Sequence, residues 1–323
     1  MFDNLAQTIR KADNGDVRAM IEFVSDNEIC IASKNEFDIR KRRNAYLERL
    51  VKAKVPFAYE ELAFEYEALG EFTKAIALFE KSCKYGNTRS QEHLGKYYFF
   101  GDYVKQDYKK AYKLFCDALN YEENSGKENV VACYPFAAYF FLGEMYRHGL
   151  FVEKDLVQAS KHYADACWIC IQGYEGESDE MIVASYWNGI ERMGKFMECE
   201  IPGTEYPKNV VEAFSMFELV RDWKFEDESL LSKLGINIEE IDKKMEECKA
   251  EIQKLYPAAK YIAVNAGKYI IAKAEKFNQV MDFADDAEAR EYLIKHHDET
   301  NGGAEESVKF VLNTQTWKCV FTE

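Results

Sequence analysis

Apolar and small residues recur through the first two thirds of the chain in a helical rhythm, punctuated by glycines at fixed places. Two stretches carry the pattern most fully. In the first, Leu94, Gly95, Tyr98 and Gly101 are followed by Val104, Asp107, Ala111, Phe115 and Ala118. In the second, Leu142, Gly143, Tyr146 and Gly149 are followed by Val152, Asp155, Ala159, Tyr163 and Ala166. The offsets agree throughout: glycine to glycine is six, and glycine to alanine is 16. Self-similarity of this kind marks a repeat architecture. Each position has a mechanical reason. Gly95 and Gly143 lie inside an amphipathic helix, where a missing side chain lets a neighbour approach. Gly101 and Gly149 end that helix in a left-handed backbone conformation. Asp107 and Asp155 stand where an N-cap belongs. Ala111, Phe115 and Ala118 then share one face of a second helix. The spacing predicts helix, short loop, helix.

Looser copies flank this pair. Leu62, Ala63, Tyr66, Gly70, Ala75, Phe79 and Ser82 repeat the pattern with a shorter loop. Met193, Gly194, Gly203, Asn209, Ala213, Phe217 and Val220 repeat it with a longer one over Glu200–Lys208, with Gly194 as the small residue and Asn209 at the cap. A degenerate copy covers Ala19–Lys54. Repeats are therefore expected near 17–55, 57–86, 88–120, 136–169 and 183–221, within a region spanning 1–222. Insertions at Tyr121–Tyr134 and Gln172–Glu180 stretch the period. Asn237 and Glu240 read as a capping box, and Ile241, Met245, Cys248, Ile252 and Leu255 form an apolar stripe that Pro257 closes. Capping helices over 223–257 would cover the open end of the array. Residues 258–323 read as a small α+β module: Tyr269–Ala272 is β-prone, Asp285–Glu288 starts a short helix running through His296, and Gly302-Gly303 marks a loop. Val308–Phe321 suits two strands with a turn near Asn313–Gln315.

The two central copies resemble the Sel1-like repeat, a relative of the tetratricopeptide repeat, in their leucine–glycine, tyrosine, glycine, valine, aspartate, alanine, aromatic, alanine order. The resemblance implies a mainly α fold: a right-handed α-solenoid of stacked helix-turn-helix repeats, presenting a concave groove to partner proteins. It also implies which positions face that groove, namely six and three before the small residue and one, four and five after it. Carried onto this chain, those offsets select Glu60, Phe64 and Glu67; Arg89, Glu92, Lys96, Phe99 and Phe100; Ala137, Phe140, Glu144, Arg147 and His148; and Asn188, Glu191, Lys195 and Glu198. Some extracellular relatives staple each repeat with a disulfide. Cys167 matches their first cysteine, but Gln91, Tyr139 and Ile190 stand where the second belongs.

Composition narrows the partner. The net charge of −15 weighs against nucleic acid, whose backbone rewards basic patches. The most basic stretch, Arg40-Lys41-Arg42-Arg43, reads as a solvated helix face, and the acidic runs Glu175–Glu180 and Glu226–Glu228 read as exposed loops. Nine cysteines, an odd number, with no basic-then-apolar segment at the start, suggest a reduced, cytoplasmic protein. No apolar run is long enough to span a bilayer. Cys167 and Cys170 have redox spacing but lie at a helix end rather than between strand and helix. His296, His297 and Asp298 with Cys319 form a possible polar site, yet adjacent histidines on a helix point about 100° apart. No phosphate loop, dinucleotide fingerprint or nucleophile elbow is present. The expected function is a non-enzymatic scaffold or adaptor holding a partner protein or peptide in the groove, with no metal, cofactor, nucleic acid or membrane. Two readings compete with it: a ligand-binding or enzymatic role in the C-terminal module, and a host-directed effector using the same groove.

Overall fold

The computed structural model describes residues 2–26, 29, 37–120, 135–171, 179–193, 209–265, 278–296 and 308–321. Among these are fourteen helices and a four-stranded antiparallel sheet. The expectations at Tyr121–Tyr134, Gly194, Glu200–Lys208, Tyr269–Ala272 and Gly302-Gly303 lie outside the described residues, as does most of Gln172–Glu180. The chain divides into two compact units, 1–142 and 143–323.

The first unit contains α1 (Phe2–Asp13), α2 (Val17–Val24), α3 (Phe37–Lys52), α4 (Pro56–Ala68), α5 (Phe72–Cys83), α6 (Thr88–Phe100) and α7 (Tyr108–Leu119). Helix α8 (Phe136–His148) carries the division between the units. Pro56 opens α4, where a ring with fixed φ and no N–H costs nothing. Asn87 caps α6 by accepting from the Ser90 amide at 2.8 Å. Gly101 closes α6 at φ 81°, its N–H returning to the Tyr97 carbonyl. Asp107 then caps α7, accepting from the Lys110 amide at 3.0 Å. The α6–α7 loop is cross-tied by the Asp107 amide donating to the Tyr98 carbonyl at 2.9 Å.

The second unit repeats that loop. Asp155 donates its amide to the Tyr146 carbonyl at 3.0 Å, and its carboxylate caps α9 (Leu156–Ile171) through the Gln158 amide. Both predicted caps are therefore formed. Asp107→Ala removes an acceptor and leaves an orphan amide, so the unfolding free energy is expected to fall by about 1 kcal/mol. A urea midpoint shift without a change in slope would register it.

Packing explains the small residues. A Cβ on Gly95 would lie 2.5 Å from Phe115 Cε1, and one on Gly143 would lie 2.6 Å from Tyr163 Cε1. Both rings are fully buried. The second unit continues with α10 (Asp179–Arg192) and α11 (Val210–Asp222), which Asn209 caps through the Val211 and Glu212 amides. Here the expected register needs correction. The described glycine that meets the ring of the second helix is Gly189, whose Cβ would lie 2.8 Å from Phe217 Cε1.

Two charged stretches also depart from expectation. Arg43 is 5% exposed and pairs with Glu61 and Glu65, while Arg40 pairs with Glu65 at 2.8 Å. Half of the basic run thus ties α3 to α4. In the acidic run, Asp179 and Glu180 are buried. Asp179 accepts from Trp223 Nε1 and the Glu226 and Asp227 amides, anchoring the segment after α11.

Next come α12 (Leu230–Lys233) and α13 (Ile238–Leu255). Asn237 caps α13 through the Glu240 amide at 2.7 Å, and burial, with the Glu240 carboxylate beside it, holds the Tyr186 hydroxyl above its ordinary value. Ile241, Met245, Cys248 and Ile252 are buried as the stripe requires, but Leu255 is exposed. In the sheet, β1 (Tyr261–Asn265), β2 (Asn278–Met281), β3 (Val308–Asn313) and β4 (Lys318–Val320) lie in the order β2-β1-β3-β4, with α14 (Asp286–His296) between β2 and β3 in sequence. Tyr261, Ala263, Val308 and Val311 pack with Ala289 and Leu293 of α14. Ile262, Val264, Phe310 and Leu312 are buried as well, so both faces of the sheet are covered. The predicted α14 and the β3–β4 pair are observed, and β1 and β2 complete the four-stranded sheet of the described residues. The module docks on α11 through a reciprocal Asn209–Asn278 amide pair at 3.3 and 3.1 Å, Lys318 to Glu218 at 3.2 Å, and Trp317 against Phe214.

Candidate functional site

Helices α4, α6, α8 and α10 are the first helices of their repeats, and a single rule governs how successive ones touch. Count from the small residue of each: Ala63, Gly95, Gly143 and Gly189. The residue four after one small residue meets the residue two before the next. Glu67 bonds His93 at 2.9 Å, Phe99 meets Phe141 with centroids 4.9 Å apart, and Arg147 lies over Trp187 with its guanidinium carbon 3.3 Å from the ring centroid. The rule holds with Gly189 as the fourth reference.

In the first unit, Glu60, Phe64 and Glu67 form one stripe on α4 and meet Arg89, His93 and Tyr97 on α6. The Glu60 side chain is 1% exposed and accepts from Asn87 Nδ2 at 3.0 Å; Arg89 Nε stands 3.8 Å away on the other oxygen. Burial pushes the Glu60 carboxyl up to about 7, and the Asn87 bond and the Arg89 charge only partly oppose it. Arg89, 57% exposed, lies over the Phe64 ring at 4.5 Å. Burial works to raise Glu67 too, but His93, the Tyr97 hydroxyl and the Lys96 charge together hold it below the usual carboxylate range. Glu92 accepts from the Ala138 amide at 2.9 Å, capping the start of α8 from the preceding repeat.

In the second unit, Glu144 of α8 is the anchor. It accepts the Tyr163 hydroxyl, and Arg147 and His148 stand 3.7 and 3.4 Å from its two oxygens. The Glu144 side chain is 3% exposed, Arg147 21% and His148 49%. Burial and the Glu144 charge hold the Tyr163 hydroxyl well above its ordinary value. Asn188 donates to the Tyr163 carbonyl at 3.2 Å.

These positions correct part of the expected groove. Glu60, Phe99, Ala137, Phe140, Glu144 and Asn188 are buried, where the expectation has them open to the groove. Phe100 rests on Phe99 and Phe141. Phe64, Glu67, Arg89, Glu92, Lys96, Phe100, Arg147 and His148 keep some or much of their surface. Lys195 and Glu198 lie outside the described residues, as does the side chain of Glu191. Sequence reasoning missed His93, Tyr97, Tyr163 and Trp187. His93 and Trp187 share the place two before the small residue, a signal legible only once the fourth repeat is in register.

Residues 88–118 and 136–167 match the model of the Sel1 repeat. They coincide with the α6–α7 and α8–α9 pairs. Among solved structures, the chain is similar to a Sel1 repeat protein from Oxalobacter formigenes: 14% identity over 78% of this chain and 99% of that one, TM-score 0.43. It is also similar to c5321, a protective antigen present in uropathogenic Escherichia coli strains displaying an SLR fold: 17% identity over 79% of this chain and 52% of that one, TM-score 0.46. It therefore spans about half the length of the second protein. No curated protein matches the chain.

The described residues considered for a polar site at the C-terminus have other partners. His296 bonds the Tyr292 carbonyl of its own helix at 2.8 Å and stacks on the Tyr292 ring. Cys319 donates its amide to Glu218, and burial holds its thiol well up. His297, Asp298 and the side chains of Cys167 and Cys170 lie outside the described residues. Among the described residues no group of three or more metal-ligating side chains is assembled, and no helix is long and apolar enough to cross a membrane.

Proposed function

We propose that the protein is a non-enzymatic scaffold or adaptor that binds a partner protein or peptide across the first-helix faces of its repeats. Sel1 repeats generally serve as protein-interaction scaffolds. The observation that carries the reading is the treatment of arginine. Arg89 and Arg147 each lie over a ring and beside a carboxylate that is itself almost fully buried. The ring and the carboxylate limit the rotamers of a long side chain before any partner arrives, which lowers the ordering cost of binding. Aromatic and arginine side chains are also those that dominate interface energetics. A protein partner suits the net charge of −15 better than nucleic acid does. A cytoplasmic setting belongs to the same reading, supported by Cys248, a buried thiol in the α13 stripe.

The test is affinity capture from the source organism's lysate with the full chain and with Arg89→Ala/His148→Ala. Both side chains are about half exposed, so the double variant is expected to keep its circular dichroism. Loss of a discrete partner by the folded variant, by about tenfold or more, is expected. Equal capture by both proteins would move binding to another surface, with the C-terminal module next in line.

A further inference from the structure

The cluster around Glu144 is built to meet one kind of group. Its acceptor capacity points inward: Glu144 is 3% exposed and already faces the Tyr163 hydroxyl, Arg147 and His148. What remains at the surface is a set of donors. The Arg147 guanidinium lies 3.3 Å above the centroid of Trp187 and is tethered at one edge by Glu144, with about a fifth of the side chain exposed (21%). His148, half exposed, flanks it on the same helix turn. Trp187 is 8% exposed, and its Nε1–H has no hydrogen-bond partner among the described residues. A buried donor in that state costs about 1–3 kcal/mol, and here it belongs to the ring on which the guanidinium rests.

A planar guanidinium with one face on a ring keeps its N–H fork in a fixed plane. That geometry matches a carboxylate, which takes two parallel N–H bonds. Resting on the proposal that the repeats bind a peptide or protein, we infer that the Arg147–Trp187 platform takes an aspartate or glutamate side chain from an extended peptide segment of the partner. A basic segment would suit the overall charge of −15 at long range, but at this platform it would face donors and find the local carboxylate engaged. The ligand and the whole protein then carry the same sign, so recognition is short-range. Added salt screens the repulsion and speeds association, the reverse of what an oppositely charged pair does.

The experiment uses the full chain and a display library of randomised dodecapeptides fused at both ends, so that no free C-terminal carboxylate is offered. The strongest selected peptide is remade with each Asp changed to Asn and each Glu to Gln, and binding is read by fluorescence anisotropy. Three proteins are compared: wild type, Arg147→Met, and Arg147→Lys, which keeps a cation beside Glu144 but has no planar fork. Selected peptides are expected to be rich in Asp or Glu. The amide replacement and both Arg147 variants should each weaken binding by about 10- to 100-fold. The association rate constant should rise between about 50 and about 300 mM salt. Peptides that bind equally well as amides, or that bind Arg147→Lys as tightly as wild type, would overturn the carboxylate assignment and leave the peptide-scaffold reading standing. Selection of basic peptides would do the same. A library yielding no binder would count against both.

Discussion

Gly95→Ala is expected to lower the stability of the protein by about 2–3 kcal/mol, although alanine is the better helix former. On an exposed helix face the same change would gain about 1 kcal/mol, because alanine loses less backbone freedom than glycine. At Gly95 the new methyl would lie 2.5 Å from Phe115 Cε1 and 2.9 Å from two more ring atoms. Phe115 is fully buried and packs against Phe141 in a stacked pair 5.2 Å apart, so its ring has no free volume to enter. Relief must come from separating α6 and α7, which gives up contact along both helices. Overpacking therefore outweighs propensity. A urea titration followed by circular dichroism checks this, and pairing Gly95→Ala with Phe115→Leu should recover part of the loss as a positive coupling. If Gly95→Ala proved more stable than wild type, the close approach of α6 and α7 would be wrong.

Glu60→Gln is expected to have the opposite effect, stabilising the protein at alkaline pH by an amount that vanishes in acid. The folded-state pKa of Glu60 is raised from 4.5 to about 7 by burial. The native protein thus holds a proton that the unfolded chain has already released across that window. Stability from this group is complete below about 4.5 and is lost as pH rises through about 7. The span converts to about 3 kcal/mol at about 1.4 kcal/mol per tenfold change. Glutamine keeps an oxygen for the Asn87 amide that Glu60 now accepts at 3.0 Å and carries no charge to bury. Urea midpoints at about pH 4 should agree between the two proteins, and at about pH 8 the variant should be the more stable. A difference independent of pH would mean that Glu60 stays ionised, fully compensated by Arg89.

The central repeats were legible because their loops have one length. Between Gly101 and Asp107, and between Gly149 and Asp155, the backbone makes the same turn closed by the same amide-to-carbonyl bond, so every downstream offset is conserved between the copies. The fourth repeat has a longer connection between Arg192 and Asn209, and offsets lose their meaning across it. Asn209 is still legible as a cap, since capping needs only local geometry, but the local spacing points to Gly194 as the small residue, whereas Gly189 is the one that meets Phe217. That shift carried the expected site residues onto Asn188, Glu191, Lys195 and Glu198 and concealed Trp187. In the C-terminal module, α14 and the β3–β4 turn announced themselves through local residues. β1 and β2 did not: Tyr261 to Val264 are buried on both faces and do not alternate, and Asn-Gln-Val-Met is half polar with Gln279 and Val280 exposed.

The amino-acid sequence by itself determined the helical repeat, its caps at Asp107, Asp155 and Asn209, the left-handed turns at Gly101 and Gly149, and the two glycines over which rings pack. Each of these depends on residues close in the chain, where steric and hydrogen-bonding requirements act at fixed separations. Only the tertiary structure decided which charges are buried. Glu60, Arg43, Glu144 and Asp179 read in sequence like solvated groups. Their surroundings come from neighbouring helices whose approach is set by packing, and it is that packing, against the cost of desolvation, which buries Glu144 and leaves Arg147 on Trp187 partly exposed.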